Sequence, residues 1–160
     1  CASSECDPDF WIEEVIDSAG SFGVNVVNLS LRLDGGYDGS LATKFFWAGY
    51  YDDLLFIAAA GNDGDSTVVY PAGYSSVVGV SGVDSNLTHA DPPTLSGCTE
   101  ASNRGGLGGV NHVELSSPFD ALSTADGGGT ALLCGSSMAA AHVTGVAALI
   151  WDAIEQRRGG

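Results

Sequence analysis

A chain of 160 residues, 44% of them hydrophobic, carries enough apolar mass for one core, and its length calls for no second domain. Asp and Glu outnumber Lys and Arg by 20 to 5, a formal net charge of -15, and a surface of that sign repels nucleic acid and anionic membranes. Lys44 is the sole lysine, so carboxylates hydrate the surface, as suits either a salt-rich habitat or a secreted acidic protein.

Ile12, Val15, Ile16 and Ala19 recur at helical spacing behind a cap at Asp7 or Asp9, and Gly20 and Gly23 stop the helix. Val24 to Leu31 reads as a strand, followed by a loop through Asp34, Gly35, Gly36 and Gly39, and a second helix is expected from about Ser40 to Tyr51. Leu54 to Ala60 and Val77 to Val83 are near-continuous apolar runs of strand length. Such runs alternating with helices predict an α/β fold whose parallel sheet is buried on both faces. The polar, Gly-rich stretch from Ser85 to Gly109, with Pro92 and Pro93, reads as loop. His112 to Leu115 is expected as a short strand before Pro118, and Gly127-Gly128-Gly129 as a turn. Ser136 to Gln156 reads as a long helix, with Arg157 and Arg158 suited to its negative end. Its apolar stretch from Ala139 to Trp151 is broken by His142 and Thr144, so no membrane span is expected.

Cys1, Cys6, Cys98 and Cys134 form an even set with no C-x-x-C pair, which argues against a thiolate zinc site. Two disulfides in any of three pairings, or free thiols, both fit. The chain opens at Cys1 with neither Met nor a signal-type lead, and processing or truncation is expected to have removed what preceded it.

Chemistry concentrates in Gly135-Ser136-Ser137-Met138-Ala139-Ala140-Ala141-His142-Val143. A serine at a helix N-terminus lies beside unpaired N–H groups and the positive dipole end, which favour the oxyanion of acyl transfer. Serine is also a common helix cap, and on these residues alone the cap is the simpler reading. The segment resembles the signature of the subtilisin-like serine proteases, the subtilases, in which Gly-Thr-Ser-Met-Ala precedes a Pro-His-Val-Ala-Gly helix. Here Ser136 replaces Thr and keeps the hydroxyl, while Ala141 replaces Pro and Thr144 replaces Ala. Ser137 aligns with the family's nucleophile.

Three further segments resemble the same family in the same order. Phe56 to Gly64 is similar to the strand and turn ending in Ala-Ala-Gly-Asn, whose Asn donates to the oxyanion; Asn62 matches it. Such a neutral donor is worth about 3 to 4 kcal/mol, a value that comes from subtilisin itself. Val26 to Leu31 is similar to the strand that pairs with substrate, although Arg32 stands where Gly is customary, a difference that bears on the width of the groove. The resemblance assigns substrate binding to Ser30, Leu31, Arg32, Ala59, Ala60 and Gly61, with an extended peptide added as a strand. Tyr70 to Asp84 is similar to the Tyr-Pro-Ala segment, where family members hold a calcium or monovalent cation through backbone carbonyls; these map to Ala72, Tyr74 and Val77. Val113 to Pro118 also fits a short family strand, with Phe119 in place of Gly.

The resemblance implies a parallel sheet flanked by helices, with residues 1 to 160 forming part of a subtilisin-like catalytic domain. The family order is Asp, His, then Ser, and its Asp-Thr-Gly and His-Gly-Thr-His elements are absent from the sequence. His142 belongs to the family motif as a structural residue. His89 and His112 have no family match and read as surface groups, and Asp84, Asp120 and Asp126 carry no spacing that assigns them a role. The sequons at Asn28 and Asn86 read as accidental and Asp63-Gly64-Asp65 as a turn, since the full calcium-loop spacing is missing. The expected activity is peptide-bond hydrolysis through an acyl-enzyme at Ser137, with Asn62 and the Ser137 N–H holding the oxyanion and no cofactor in the chemistry. A polypeptide is the expected substrate, neither nucleic acid nor membrane is an expected partner, and the location is extracellular. The Asp and His would come from a longer chain or a second one, and the isolated chain would be inactive. The alternatives are a peptide-binding module without catalysis and a subunit of a two-chain protease.

Overall fold

The computed structural model describes residues 8–90, 98–106 and 112–158. Helix α1 (Pro8–Ser21) leads to strand β1 (Val26–Leu29), helix α2 (Gly39–Tyr51), and strands β2 (Leu55–Ala59) and β3 (Val77–Val83). Strands β4 (Leu115–Pro118), β5 (Asp120–Thr124) and β6 (Thr130–Cys134) follow, and helix α3 (Ser136–Arg158) ends the described chain. The first four strands form one sheet in the order β1-β2-β3-β4, parallel throughout, with Val26 beside Leu55, Phe56 beside Val77 and Val80 beside Leu115.

The parallel sheet is covered by α1 and α2 on one face and by α3 on the other, and the side-chain alternation of β2 divides the core accordingly. Phe56, Ala58 and the following Ala60 pack with Ile12, Ile16, Leu41 and Phe45 of α1 and α2. Ile57 and Ala59 face the other way, onto Ala139 and Ala140 of α3. Only a residue as small as Ala lets α3 approach the strand this closely, which sets its first turn against the end of β2. Asp38 caps α2 through Oδ1, which accepts the N–H of Ser40 at 2.6 Å and of Leu41 at 3.1 Å. Lys44 bridges the two outer helices, with Asp17 at 2.9 Å and Glu13 at 3.1 Å. Hydrogen bonding to Asp17 leads the effects that raise the pKa of its ammonium group, although burial opposes them.

The structure corrects two boundaries and adds one pairing. The strand expected from Val24 to Leu31 pairs only from Val26 to Leu29, because β2 offers its last register partner at Ala58 and Ser30 turns its hydroxyl to the backbone of Ser137 instead. The strand expected from His112 to Leu115 begins at Leu115 and runs to Pro118. His112 and Glu114 instead pair with one another at 2.7 Å, and the Glu114 carboxylate accepts the Gly79 N–H at 2.5 Å. The Gly127 to Gly129 turn, with all three glycines at positive φ, closes an antiparallel hairpin of β5 and β6 that the sequence reading did not pair. Cys98 is bonded to Cys134, while Cys1 and Cys6 lie outside the described residues. Helix α3 is long and apolar enough to cross a membrane by length and composition, with a mean hydropathy of 1.4 over its most apolar window. Its contacts with all four strands of the parallel sheet lay it along a protein face.

Candidate active site

The C-terminal ends of parallel strands, where the chain turns into helices, are the usual place for a site in an open α/β sheet. Here the end of β1, the end of β2 and the start of α3 converge. A cavity of about 320 Å³ opens between them, lined among others by Ser30, Leu31, Arg32, Ala59, Gly61, Asn62, Ser136 and Ser137. Of the residues singled out by sequence, Ser30, Leu31, Arg32, Ala59, Gly61, Asn62 and Ser137 line this cavity, and Ala60 does not. Ala60 is fully buried, its N–H donating to Val80 O at 2.9 Å and its carbonyl accepting from Val69 N at 3.0 Å.

Ser137 is half-buried in the first turn of α3. The N–H of Ser136 goes to Asn62 Oδ1 at 2.8 Å and that of Met138 to Gly135 O at 3.0 Å. Between them the Ser137 N–H has no hydrogen-bond partner among the described residues, as expected of a free helix terminus facing a cavity. Its carbonyl accepts the Ser30 hydroxyl at 2.9 Å. Ser30 Oγ accepts in turn from Asn28 Nδ2 at 2.9 Å, and Asn28 Oδ1 from Thr144 Oγ1 at 3.0 Å. This chain of side chains fixes the end of β1 to two turns of α3, so the serine and the strand beside it move as one unit.

Asn62 is held from two sides. Its Oδ1 also accepts the Ser136 hydroxyl at 2.8 Å, and its Nδ2 donates to Glu100 Oε2 at 2.7 Å. Gly61 makes the turn that presents it, at φ 109, a value open to glycine and strained for other residues. Arg32 and Asp63 stand across the cavity mouth as an ion pair at 3.0 Å with both groups about half exposed. Among the described residues no imidazole or carboxylate hydrogen-bonds to Ser137 Oγ. His112 pairs with Glu114, and His89 shares a hydrogen bond with Ser102 O at 2.7 Å.

The subtilase family model matches residues 3–158. The chain belongs to the subtilase family. It is 37% identical over 141 residues to subtilisin DY of Bacillus licheniformis, covering 84% of this chain and 45% of that protein. Against subtilisin E of Bacillus subtilis the identity is 35% over 146 residues, covering 88% of this chain and 34% of that protein. Among solved structures, the prenylagaramide maturation protease PagA superposes with a TM-score of 0.74 at 26% identity, over 94% of this chain and 52% of that one. The self-cleaved protease domain of PatA does so with a TM-score of 0.72 at 28% identity, over 94% and 54%. This subtilase chain thus spans about half or less of the relatives it matches, and its α/β architecture is that of their protease domains.

The resemblance to subtilases also implied a cation at the carbonyls of Ala72, Tyr74 and Val77. All three residues are buried, and the Tyr74 carbonyl already accepts the Val77 N–H at 3.0 Å. A side chain at Gly79 would meet Ala72 O at 3.1 Å and Glu114 Oε2 at 3.2 Å, and that carboxylate oxygen already accepts the Gly79 N–H. Hard oxygen donors of this kind fit calcium or a monovalent ion. Among the described residues no cluster of three or more His, Cys, Asp or Glu side chains forms a metal site of another kind.

Sequence reasoning missed Glu100, Ser102 and Asn103, which lie in the stretch read as loop. Ser102 and Asn103 are buried polar groups: Ser102 Oγ accepts the Gly82 N–H at 2.7 Å, and Asn103 Oδ1 accepts those of Asp63 at 2.9 Å and Asp65 at 3.1 Å. The available signal was three small or polar residues, Ala101-Ser102-Asn103, in a stretch without periodicity. Such residues commonly satisfy another segment's backbone.

Proposed function

We propose that this chain is the nucleophile-bearing part of a serine endopeptidase that cleaves polypeptides through an acyl-enzyme at Ser137. The observation that carries the reading is the meeting of Ser137, Asn62 and the Ser30 to Arg32 segment around one cavity. A substrate strand laid along Ser30 to Arg32 brings its carbonyl carbon to Ser137 Oγ. As Oγ attacks, a histidine takes its proton, and the carbonyl oxygen gains a full charge that the Ser137 N–H and Asn62 Nδ2 hydrogen-bond. The amine then leaves with that proton, and water releases the acyl group by the reverse sequence.

The histidine and the aspartate that orients it come, in this reading, from polypeptide outside these 160 residues, either the same longer chain or a second one. Two features favour such a neighbour. Among the described residues strand β1 is an outer strand of the sheet, with its pairing groups open on one side. Helix α3 exposes Val146 by 57%, Leu149 by 73% and Ile150 by 56%, a contiguous apolar face on the helix that carries Ser137. Without that neighbour the chain is inactive. An extracellular location accords with the Cys98–Cys134 disulfide. The chemistry needs no cofactor. A calcium or monovalent ion at the Ala72, Tyr74 and Val77 carbonyls, with Glu114 beside it, has a structural role. Neither nucleic acid nor a membrane is a partner of so acidic a surface.

The test is labelling of the full-length protein by a fluorophosphonate probe together with cleavage of a casein or peptide substrate. Labelling and cleavage that both vanish in Ser137→Ala support the proposal. Peptide binding without labelling would point to a binding module instead, and activity that returns only on mixing with a separate chain would point to a two-chain protease.

A further inference from the structure

Asn62 has little freedom to turn its amide. Both Ser136 donors reach Oδ1 at 2.8 Å, so Nδ2 must face the other way, and there it meets Glu100 Oε2 at 2.7 Å. An amide nitrogen carries two hydrogens, and the carboxylate takes one, leaving the second for a substrate oxygen. Glu100 therefore stands one side chain away from the carbonyl that would react.

Its position is built. The residue after it, Ala101, pairs with the turn that follows Asn62, its carbonyl accepting the Gly64 N–H at 2.9 Å, and Asn103 N donates to Gly61 O at 2.8 Å. On the other side the Cys98–Cys134 disulfide ties the same segment to the residue three places before Ser137. The segment is thus clamped to both walls of the site, with the Glu100 carboxylate exposed at the rim.

Among the described residues its charge has no paired cation. Asp63, on the pocket side of the turn, is neutralised by Arg32 at 3.0 Å. The partner of Glu100 is the neutral Asn62 amide. Glu100 is also absent from the lining of the cavity that takes the residue before the cleaved bond. Bonded to the Asn62 amide and standing outside that cavity, its carboxylate can meet a residue after the cleaved bond when the residue before it fills the cavity. A negative oxyanion forming beside an unpaired carboxylate is disfavoured, and a cation supplied by substrate relieves the conflict.

We infer that Glu100 is a specificity-determining residue that favours lysine or arginine immediately after the cleaved bond and disfavours aspartate or glutamate there; the inference rests on the peptidase reading above. The test uses the full-length protein and a set of peptides identical except for Arg, Ala or Glu at that position, with kcat/KM measured for each. The ratio within one enzyme preparation cancels any difference in folded fraction between variants. Wild type should favour Arg over Glu by about five- to tenfold at low ionic strength, shrinking in about 1 M NaCl because the group is exposed. Glu100→Gln should bring the ratio close to one, and Glu100→Arg should invert it. Moving the arginine three residues further along should abolish most of the preference, which general attraction by a net charge of -15 would not do. Equal rates for Arg and Glu in wild type, or a ratio unmoved by both variants while cleavage still depends on Ser137, would overturn the inference and leave the peptidase reading standing. No Ser137-dependent cleavage of any peptide would overturn both.

Discussion

Ser136 donates both its backbone N–H and its hydroxyl to Oδ1 of Asn62, each at 2.8 Å, and its hydroxyl accepts the Gly61 N–H at 3.1 Å. One buried side chain thus holds the two ends of the site, the turn after β2 and the first turn of α3, in a fixed relation. Its effect on chemistry is indirect: with Oδ1 occupied, the Asn62 amide can only present Nδ2 outward.

Ser136→Ala should accordingly lower kcat of the complete enzyme by about tenfold with KM little changed, since roughly one hydrogen bond's worth of orientation is lost while the N–H bond remains. Ser136→Thr should restore most of the rate. The double variant with Asn62→Ala should be no slower than Asn62→Ala alone, because Ser136 acts through that amide; additive losses would show that it does not.

Gly61→Ala should destabilise the fold by about 2 kcal/mol or more. The backbone at φ 109 strains any residue with a Cβ, and the added atom would lie 2.9 Å from Val69 Cγ1 and overlap the buried Asn103 amide. Calorimetry of the full-length variant should record a Tm several degrees below wild type, and an unchanged Tm would contradict the packing described for this turn.

How much of this could be read beforehand depends on where the information sits. Runs such as Leu54 to Ala60 carry much of their own structure, because seven apolar residues stopped by Gly61-Asn62 are short for a helix and fit a buried strand and its turn. Ser137 and Asn62 were legible through local motifs. Glu100 was not, since its importance comes from the Gly64 to Ala101 pairing and the Cys98–Cys134 bond, contacts between residues 36 or more positions apart. The β5–β6 hairpin had a signal that went unused: Asp126-Gly127 between two short runs, a pairing turn that the glycine run disguised as a flexible loop. Ala60 shows the limit of a motif read along the chain: it lies between Ala59 and Gly61, which both line the cavity, yet its own side chain is buried on the opposite face with the α1 and α2 core.

Arg32 and Asp63 offer a test of the cavity's rim. Their contact is exposed, so Arg32→Gly should change stability by no more than about 0.5 kcal/mol. It should instead widen the mouth of the cavity and release the Asp63 carboxylate, lowering KM for substrates with a large or basic residue before the cleaved bond. Profiling with a peptide library that varies that residue would measure the shift, and an unaltered profile would exclude Arg32 from the cavity's selectivity.

Asp84 gives a pH dependence whose sign can be worked out. The backbone N–H of Thr88 and then that of Asn86, both at 2.9 Å, donate to its Oδ1, and these bonds, led by Thr88, hold its pKa below the ordinary aspartate value even though desolvation pushes the other way. A carboxylate whose pKa is lower folded than unfolded binds fewer protons in the folded state. It stabilises the fold at every pH above the ordinary aspartate range and loses that contribution as pH falls through the depressed folded value. Asp84→Asn keeps an acceptor oxygen but not the charge, so its Tm should fall below wild type at neutral pH. The gap should persist down to about pH 5 and close in stronger acid, where wild type is also neutral at this position. Thermal unfolding of both proteins across that range is the measurement, and a gap that widens on acidification would contradict the assignment of these two N–H groups to the ionised carboxylate.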